Sequence, residues 1–162
     1  MKNDVLKIIK STMDEYKDEF VYLDPLDIEF IDNMIKGEFK FTGAAYMNVY
    51  NKILNNTEAM FIFNQAQYIL LAAIMLEEQI INVDNLEDAY LKLDGIVYKD
   101  MSFDFKKSIT DYDKLNFVCS AEPYLDNKGR TRYVVKLDLV NGAFEVTGTA
   151  VCLNKSIHVQ GL

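Results

Sequence analysis

Asn64 and Tyr68 stand four residues apart in a run free of Gly and Pro, so on a helix they project from one face, a turn apart, with Met75 further along the same side. An amide and a phenol supply no base at neutral pH, but both donate hydrogen bonds to a carbonyl oxygen as negative charge gathers on it. The chemistry this suits is activation of a thioester or enoyl carbonyl. In the plainer alternative, Asn64 bonds a neighbouring strand and Tyr68 fills core volume while its hydroxyl reaches water. Glu58 lies just upstream. It reads first as a capping residue, because carboxylates are stabilised in the first turn of a helix, with a general-base role as the alternative.

Other reactive residues are sparse. The single histidine, His158, lies in the terminal SIHVQGL, where chain ends are seldom held firmly enough for a triad. Cys119 and Cys152 sit far apart inside apolar, strand-like runs without CxxC spacing; both read as small core residues, and no metal site is expected. HExxH, the P-loop and GxGxxG are absent, so metal hydrolysis, nucleotide hydrolysis and dinucleotide binding have no positive support. A net charge of −8 argues against a nucleic-acid binder, which needs a surplus of Lys and Arg on at least one face. Local basic groups remain: Lys99, Lys106 and Lys107 in one stretch, Lys128, Arg130 and Arg132 in another. Either can meet a phosphate.

The elements that must position these residues follow from periodicity. At 162 residues, half of them apolar, with 10 Tyr, 10 Phe, 7 Gly and 2 Pro, the chain suits one well-filled core. Val5, Ile8, Ile9 and Met13 recur at helical spacing within residues 3 to 18, which predicts an amphipathic N-terminal helix in the segment 1–20. Charge interrupts that stretch every few residues, so it is read as neither a signal peptide nor a membrane span, and the default compartment is the cytoplasm. From Asp27 to Thr42 the period changes to two around a turn expected near Asn33 to Gly37, the mark of a strand pair.

Residues 57 to 79, TEAMFIFNQAQYILLAAIMLEEQ, favour helix and are apolar around most of the circumference, so this helix must be buried. Asn55, followed three residues later by Glu58, resembles a capping box at its start. Glu58, Asn64, Gln65, Gln67, Glu77 and Glu78 make a membrane span the weaker reading. A short helical segment is expected over residues 85 to 95, ending at Gly95. Strand patterns then run from 96 to 153 with turn signals at Asp126–Gly129 and Asn141–Gly142, read as successive antiparallel hairpins.

A fully apolar helix followed by long strands is best accommodated by a strongly curved sheet wrapped around it. The expected class is therefore α+β with a hot-dog arrangement: residues 1–162 form one domain, with an N-terminal helix ahead of a core spanning 27–153.

The segments Lys36-Gly37-Glu38-Phe39-Lys40-Phe41 with Tyr46, Asn55 and Glu58, and Phe63-Asn64-Gln65-Ala66-Gln67-Tyr68, resemble the FcoT-like family of hot-dog acyl-thioester enzymes. The FNQxxY run is the most specific part; Lys99 to Lys107 and the closing strands through Cys152 add to the likeness. The resemblance implies hydrolysis of fatty acyl-CoA or acyl-carrier-protein thioesters. Its alternatives are a lyase or dehydratase acting on an enoyl or hydroxyacyl thioester, including glycine addition, and a non-catalytic acyl-binding module. It also implies site positions at Tyr46, Asn64 and Tyr68, no cofactor beyond the coenzyme A or phosphopantetheine of the substrate, an acyl carrier protein as a partner, and a homodimer or dimer of dimers. Lys99, Lys106 and Lys107 are the candidate contacts to the substrate's phosphates. Ile53 departs from the pattern, standing where family members carry a His before the central helix, and the loop from Tyr46 to Asn55 is a residue longer. Isoleucine transfers no proton, which weakens glycine addition more than hydrolysis or binding.

Overall fold

The computed structural model describes residues 2–13, 22–24, 27–39, 54–85, 96–109, 115–129 and 131–152. The expected short helix over 85–95, the second half of the expected N-terminal helix, Tyr46 and Ile53 lie outside the described residues, almost wholly in the first case.

Among the described residues two helices and six strands follow one another as α1 (Lys2–Met13), β1 (Glu29–Ile31), β2 (Met34–Phe39), α2 (Asn56–Glu77), β3 (Ile96–Phe105), β4 (Leu115–Leu125), β5 (Thr131–Leu139) and β6 (Phe144–Cys152). The strands form one antiparallel sheet in the order β1-β2-β4-β5-β6-β3. β4–β5 and β5–β6 are the expected hairpins, with left-handed backbone at Gly129, Asn141 and Gly142 where the turn signals stood. β3 differs from the expectation of successive hairpins. It does not pair with β4 but crosses to the far edge of the sheet beside β6.

The sheet has a buried face set by alternation along each strand. Leu115, Phe117, Cys119 and Ala121 of β4 are buried, as are Tyr133, Val135, Leu137 and Leu139 of β5 and Phe144, Val146 and Ala150 of β6. Cys119 is thus a core residue, and burial pushes its thiol pKa upward, away from reactivity. The side chain of Cys152 lies outside the described residues.

The β1–β2 turn comes earlier than expected. Ile31 pairs with Met34, so the turn is Asp32-Asn33, with Asp32 at φ 48° as a two-residue hairpin loop favours. Gly37, expected in the turn, sits within β2 opposite Phe117. A Cβ there would lie 3.1 Å from the Asp27 carbonyl oxygen and 3.2 Å from the Phe117 ring, so the glycine serves close approach rather than reversal.

α2 packs against β2, β4 and β5 and, through its Phe63 ring, against Tyr98 of β3; α1 packs on it as well. Ile62, Phe63, Ile69, Leu70 and Leu71 are wholly buried, each aliphatic side chain contributing about 1.5–3 kcal/mol. The helix is long and apolar enough to cross a membrane by length and composition, but 72% of its most apolar window is buried inside the protein. Its start is fixed by the expected capping box. The Asn55 side chain accepts from the amides of Thr57 and Glu58 at 2.9 and 3.2 Å, and Glu58 Oε2 accepts from the Asn55 amide at 3.1 Å.

Candidate functional site

Along one strip of α2 the burial is incomplete: Met60 is 41% exposed, and Phe61, Asn64 and Tyr68 are half-buried. Helical geometry places Asn64 and Tyr68 on adjacent turns of this strip. The Asn64 side chain makes no hydrogen bond with the described residues, so its amide is available to a molecule that settles on the strip. Tyr46, the third position implied by the resemblance, lies outside the described residues.

Glu58 is placed elsewhere. It lies six residues before Asn64, about 9 Å away along the axis and about 120° around it, and it is fully buried. Its Oε2 is engaged in the cap, whereas Oε1 is buried without a hydrogen-bond partner among the described residues. Burial raises its pKa to about 7, against the opposing effect of the Asn55 amide. The carboxyl is thus proton-sharing near neutrality, but on the flank of α2 away from Asn64.

The three lysines are not gathered in one place. Lys99 stands near the start of β3, whereas Lys106 and Lys107 follow its end, about 20 Å further on at strand rise. Lys106 is engaged with Glu145 at 2.7 Å and Asp104 at 3.8 Å; the Glu145 carboxylate holds the Lys106 pKa up, and the ammonium holds that of Glu145 down. Lys107 makes no ion pair with the described residues. Among the described residues Lys99 reaches its exposed neighbour Asp100, at 3.8 Å. It is also the lysine beside Tyr98, whose ring meets Phe63 at 5.1 Å between centroids. Lys99 thus adjoins in sequence a residue whose ring touches α2. Of the second basic group, Arg132 is held by Asp126 at 2.9 Å.

A local irregularity shapes that neighbourhood. Tyr98 pairs with Ala150 and Met101 with Gly148, so β3 spends one extra residue there, a bulge at Lys99-Asp100 that keeps Tyr98 and Met101 on the same face. Gly148 leaves room for the Tyr98 ring: a Cβ would come within 2.7 Å of Tyr98 Cδ1 and 3.3 Å of the Phe63 ring.

Two further residues emerge from the structure. Gln65 and Gln67 are both buried. The side-chain oxygen of Gln65 accepts from the amides of Tyr22 and Leu23 at 3.0 and 3.2 Å; that of Gln67, one turn from Asn64, is buried without a partner among the described residues. The available signal was the presence of two amides in an otherwise apolar helix, but their difference depends on residues more than forty positions away.

No protein-family profile matches the chain, and no curated protein matches it in sequence. Solved structures do match. A sigma28-regulated virulence protein from Campylobacter jejuni aligns with a TM-score of 0.53 at 15% identity, covering 96% of this chain and 94% of its own. The E. coli PaaI protein from the phenylacetic acid degradation operon aligns with a TM-score of 0.51 at 12% identity, covering 93% and 98%. A hypothetical thioesterase with coenzyme A from Streptococcus pneumoniae TIGR4 gives 0.50 at 15% identity, covering 93% and 94%. At such identities the likeness is one of fold. The chain has the hot-dog fold, with its six-stranded antiparallel sheet, long helix and additional N-terminal helix.

Proposed function

We propose that this chain is an acyl-thioester hot-dog enzyme that hydrolyses a fatty acyl-CoA or acyl-carrier-protein conjugate at the Asn64–Tyr68 strip of α2. The observation that carries the reading is Asn64 itself: a half-buried amide without a side-chain partner among the described residues, on a helix otherwise packed with hydrocarbon. The fold shared with a hypothetical thioesterase with coenzyme A and the FNQxxY resemblance support the same ligand class.

In this reading the acyl chain runs beside α2 toward Leu71 and Met75, and the thioester oxygen accepts from the Asn64 amide. Tyr68 and Tyr46 orient the group, and Lys99 meets a phosphate of the leaving half. Water adds to the carbonyl carbon and gives up a proton to solvent, the negative oxygen is held by Asn64, and collapse breaks the carbon–sulfur bond, the thiolate taking a proton back from solvent, to release acid and thiol. Catalysis rests on stabilising the developing oxyanion. Glu58 serves chiefly by fixing the helix start. A second copy joining along the edge strand β3 completes the unit, since a long unpaired edge is a ready template for pairing, and Val97 and Phe105 there are 43% and 42% exposed.

One observation favours a second reading. Met60, Phe61, Asn64, Gln67 and Tyr68 bring no carboxylate, imidazole or thiol to the strip, which suits a non-catalytic acyl-binding module and counts against addition to, or dehydration toward, an enoyl thioester. Incubation with a panel of acyl-CoA and acyl-carrier-protein substrates, following free thiol, enoyl absorbance and product mass, separates them. Thiol release supports hydrolysis. Mass change without thiol release points to addition or dehydration, tight binding with neither points to the module, and absence of binding removes the acyl-thioester reading altogether.

A further inference from the structure

We infer that the acyl group accepted here carries a hydroxyl on the carbon β to the thioester carbonyl, and that Gln67 recognises it; the inference rests on the thioester reading of Asn64. Gln67 is 1% exposed, and its Oε1 is buried without a hydrogen-bond partner among the described residues. Buried amides in native folds are nearly always satisfied, and Gln65, two residues earlier, obeys the rule within the chain. An acceptor left open inside hydrocarbon is costly unless a ligand supplies the missing partner.

The position of Gln67 limits which part of a ligand that is. Asn64 and Gln67 are related by i, i+3, which puts their Cβ atoms about 5–6 Å apart. Beyond Gln67 the helix continues through Leu70, Leu71, Ile74 and Met75, all buried and apolar, which suits the hydrocarbon tail; Met60, toward the N-terminus, is exposed, which suits the polar leaving half. Gln67 therefore stands on the tail side of the carbonyl, at the reach of the first few chain carbons. A saturated chain has nothing to offer there. A hydroxyl both donates and accepts, so it satisfies the amide through its oxygen or, after rotation, through its NH₂. A keto oxygen only accepts, and an enoyl carbon does neither.

The test compares 3-hydroxyacyl-CoA with saturated acyl-CoA of the same chain length, using the full chain and its Gln67→Met variant, which keeps length and removes the amide. The wild type should favour the hydroxylated substrate by at least about tenfold in kcat/KM, since a site built around a hydrogen bond rejects the analogue lacking it. In Gln67→Met that ratio should collapse toward one, without a fall in thermal midpoint. Equal turnover of the two substrates by the wild type overturns the inference, whether or not the variant folds, and so does a ratio that survives the substitution. If neither substrate binds or releases thiol, the thioester reading falls with it; if both are hydrolysed equally, only the hydroxyl assignment falls.

Discussion

On one flank of α2, the Gln65 side chain accepts from two backbone amides of the segment Tyr22–Leu23, and the Glu58 carboxyl closes the helix cap. On the other, Gln67 is just as buried, yet among the described residues its oxygen has no partner and the half-buried Asn64 makes no side-chain hydrogen bond. The first flank uses the Gln65 oxygen and Glu58 Oε2 to hold chain segments together, while Glu58 Oε1 is buried without a partner among the described residues. The second leaves Asn64 half-buried where the helix reaches the surface and Gln67 buried one turn further along. The two glutamines of one apolar helix thus divide by whether the described fold answers their oxygens, and the unanswered one stands a turn from Asn64.

The contrast is broken most forcefully at Gln65. Gln65→Leu should destabilise the protein by about 4 kcal/mol, because two buried backbone amides lose their acceptor at once, whereas Gln67→Leu should change stability by less than about 1 kcal/mol in either direction. Urea unfolding of the two variants side by side checks this. Equal losses would erase the distinction between the flanks.

Glu58 gives the next effect. Its carboxyl keeps its proton to about pH 7 in the folded protein, against an ordinary value of 4.5. Between those values the folded state binds more protons than the unfolded one, so this contribution is fully present below about pH 4.5 and is lost as pH rises through about 7. The loss is on the order of 3 kcal/mol. Unfolding free energies measured across that range should fall with pH in the wild type, and the slope should flatten in Glu58→Gln.

At Gly148 the expected change is smaller. Gly148→Ala should cost about 2 kcal/mol, since the new methyl must displace the Tyr98 ring that lies across the glycine, and the altered ring should be visible in tyrosine fluorescence. Smallest is Asn55→Ala, which removes the acceptor for two helix amides and should lower stability by about 1 kcal/mol, read as a shift in thermal midpoint.

Much of the fold was legible because it is written locally. The apolar run of α2, its Asn55–Glu58 box and the Gly129 and Asn141–Gly142 turns are each decided by residues within a few positions of one another. Gly37 misled because glycine has two uses, and the one that applies here, room for Phe117 and the Asp27 carbonyl, involves β4 and the approach to β1. The crossing of β3 to the sheet edge and its bulge at Lys99-Asp100 were hidden for a related reason. Pairing with β6 is chosen by which edge remains open, and no residue of β3 states it. Asn64 and Tyr68 could be paired from spacing alone. The difference between Gln65 and Gln67 could not, since it depends on where Tyr22 and Leu23 come to rest.

The most direct measurement is thiol release from a fatty acyl-CoA by the wild type and by Asn64→Ala, with the thermal midpoint of each protein recorded alongside. Loss of the amide that holds the oxyanion should lower the rate by about 10²–10³-fold while the midpoint stays within about 2 °C. Thiol release that is absent in the wild type, or unchanged in Asn64→Ala, would contradict the assignment of Asn64 as the carbonyl-binding group.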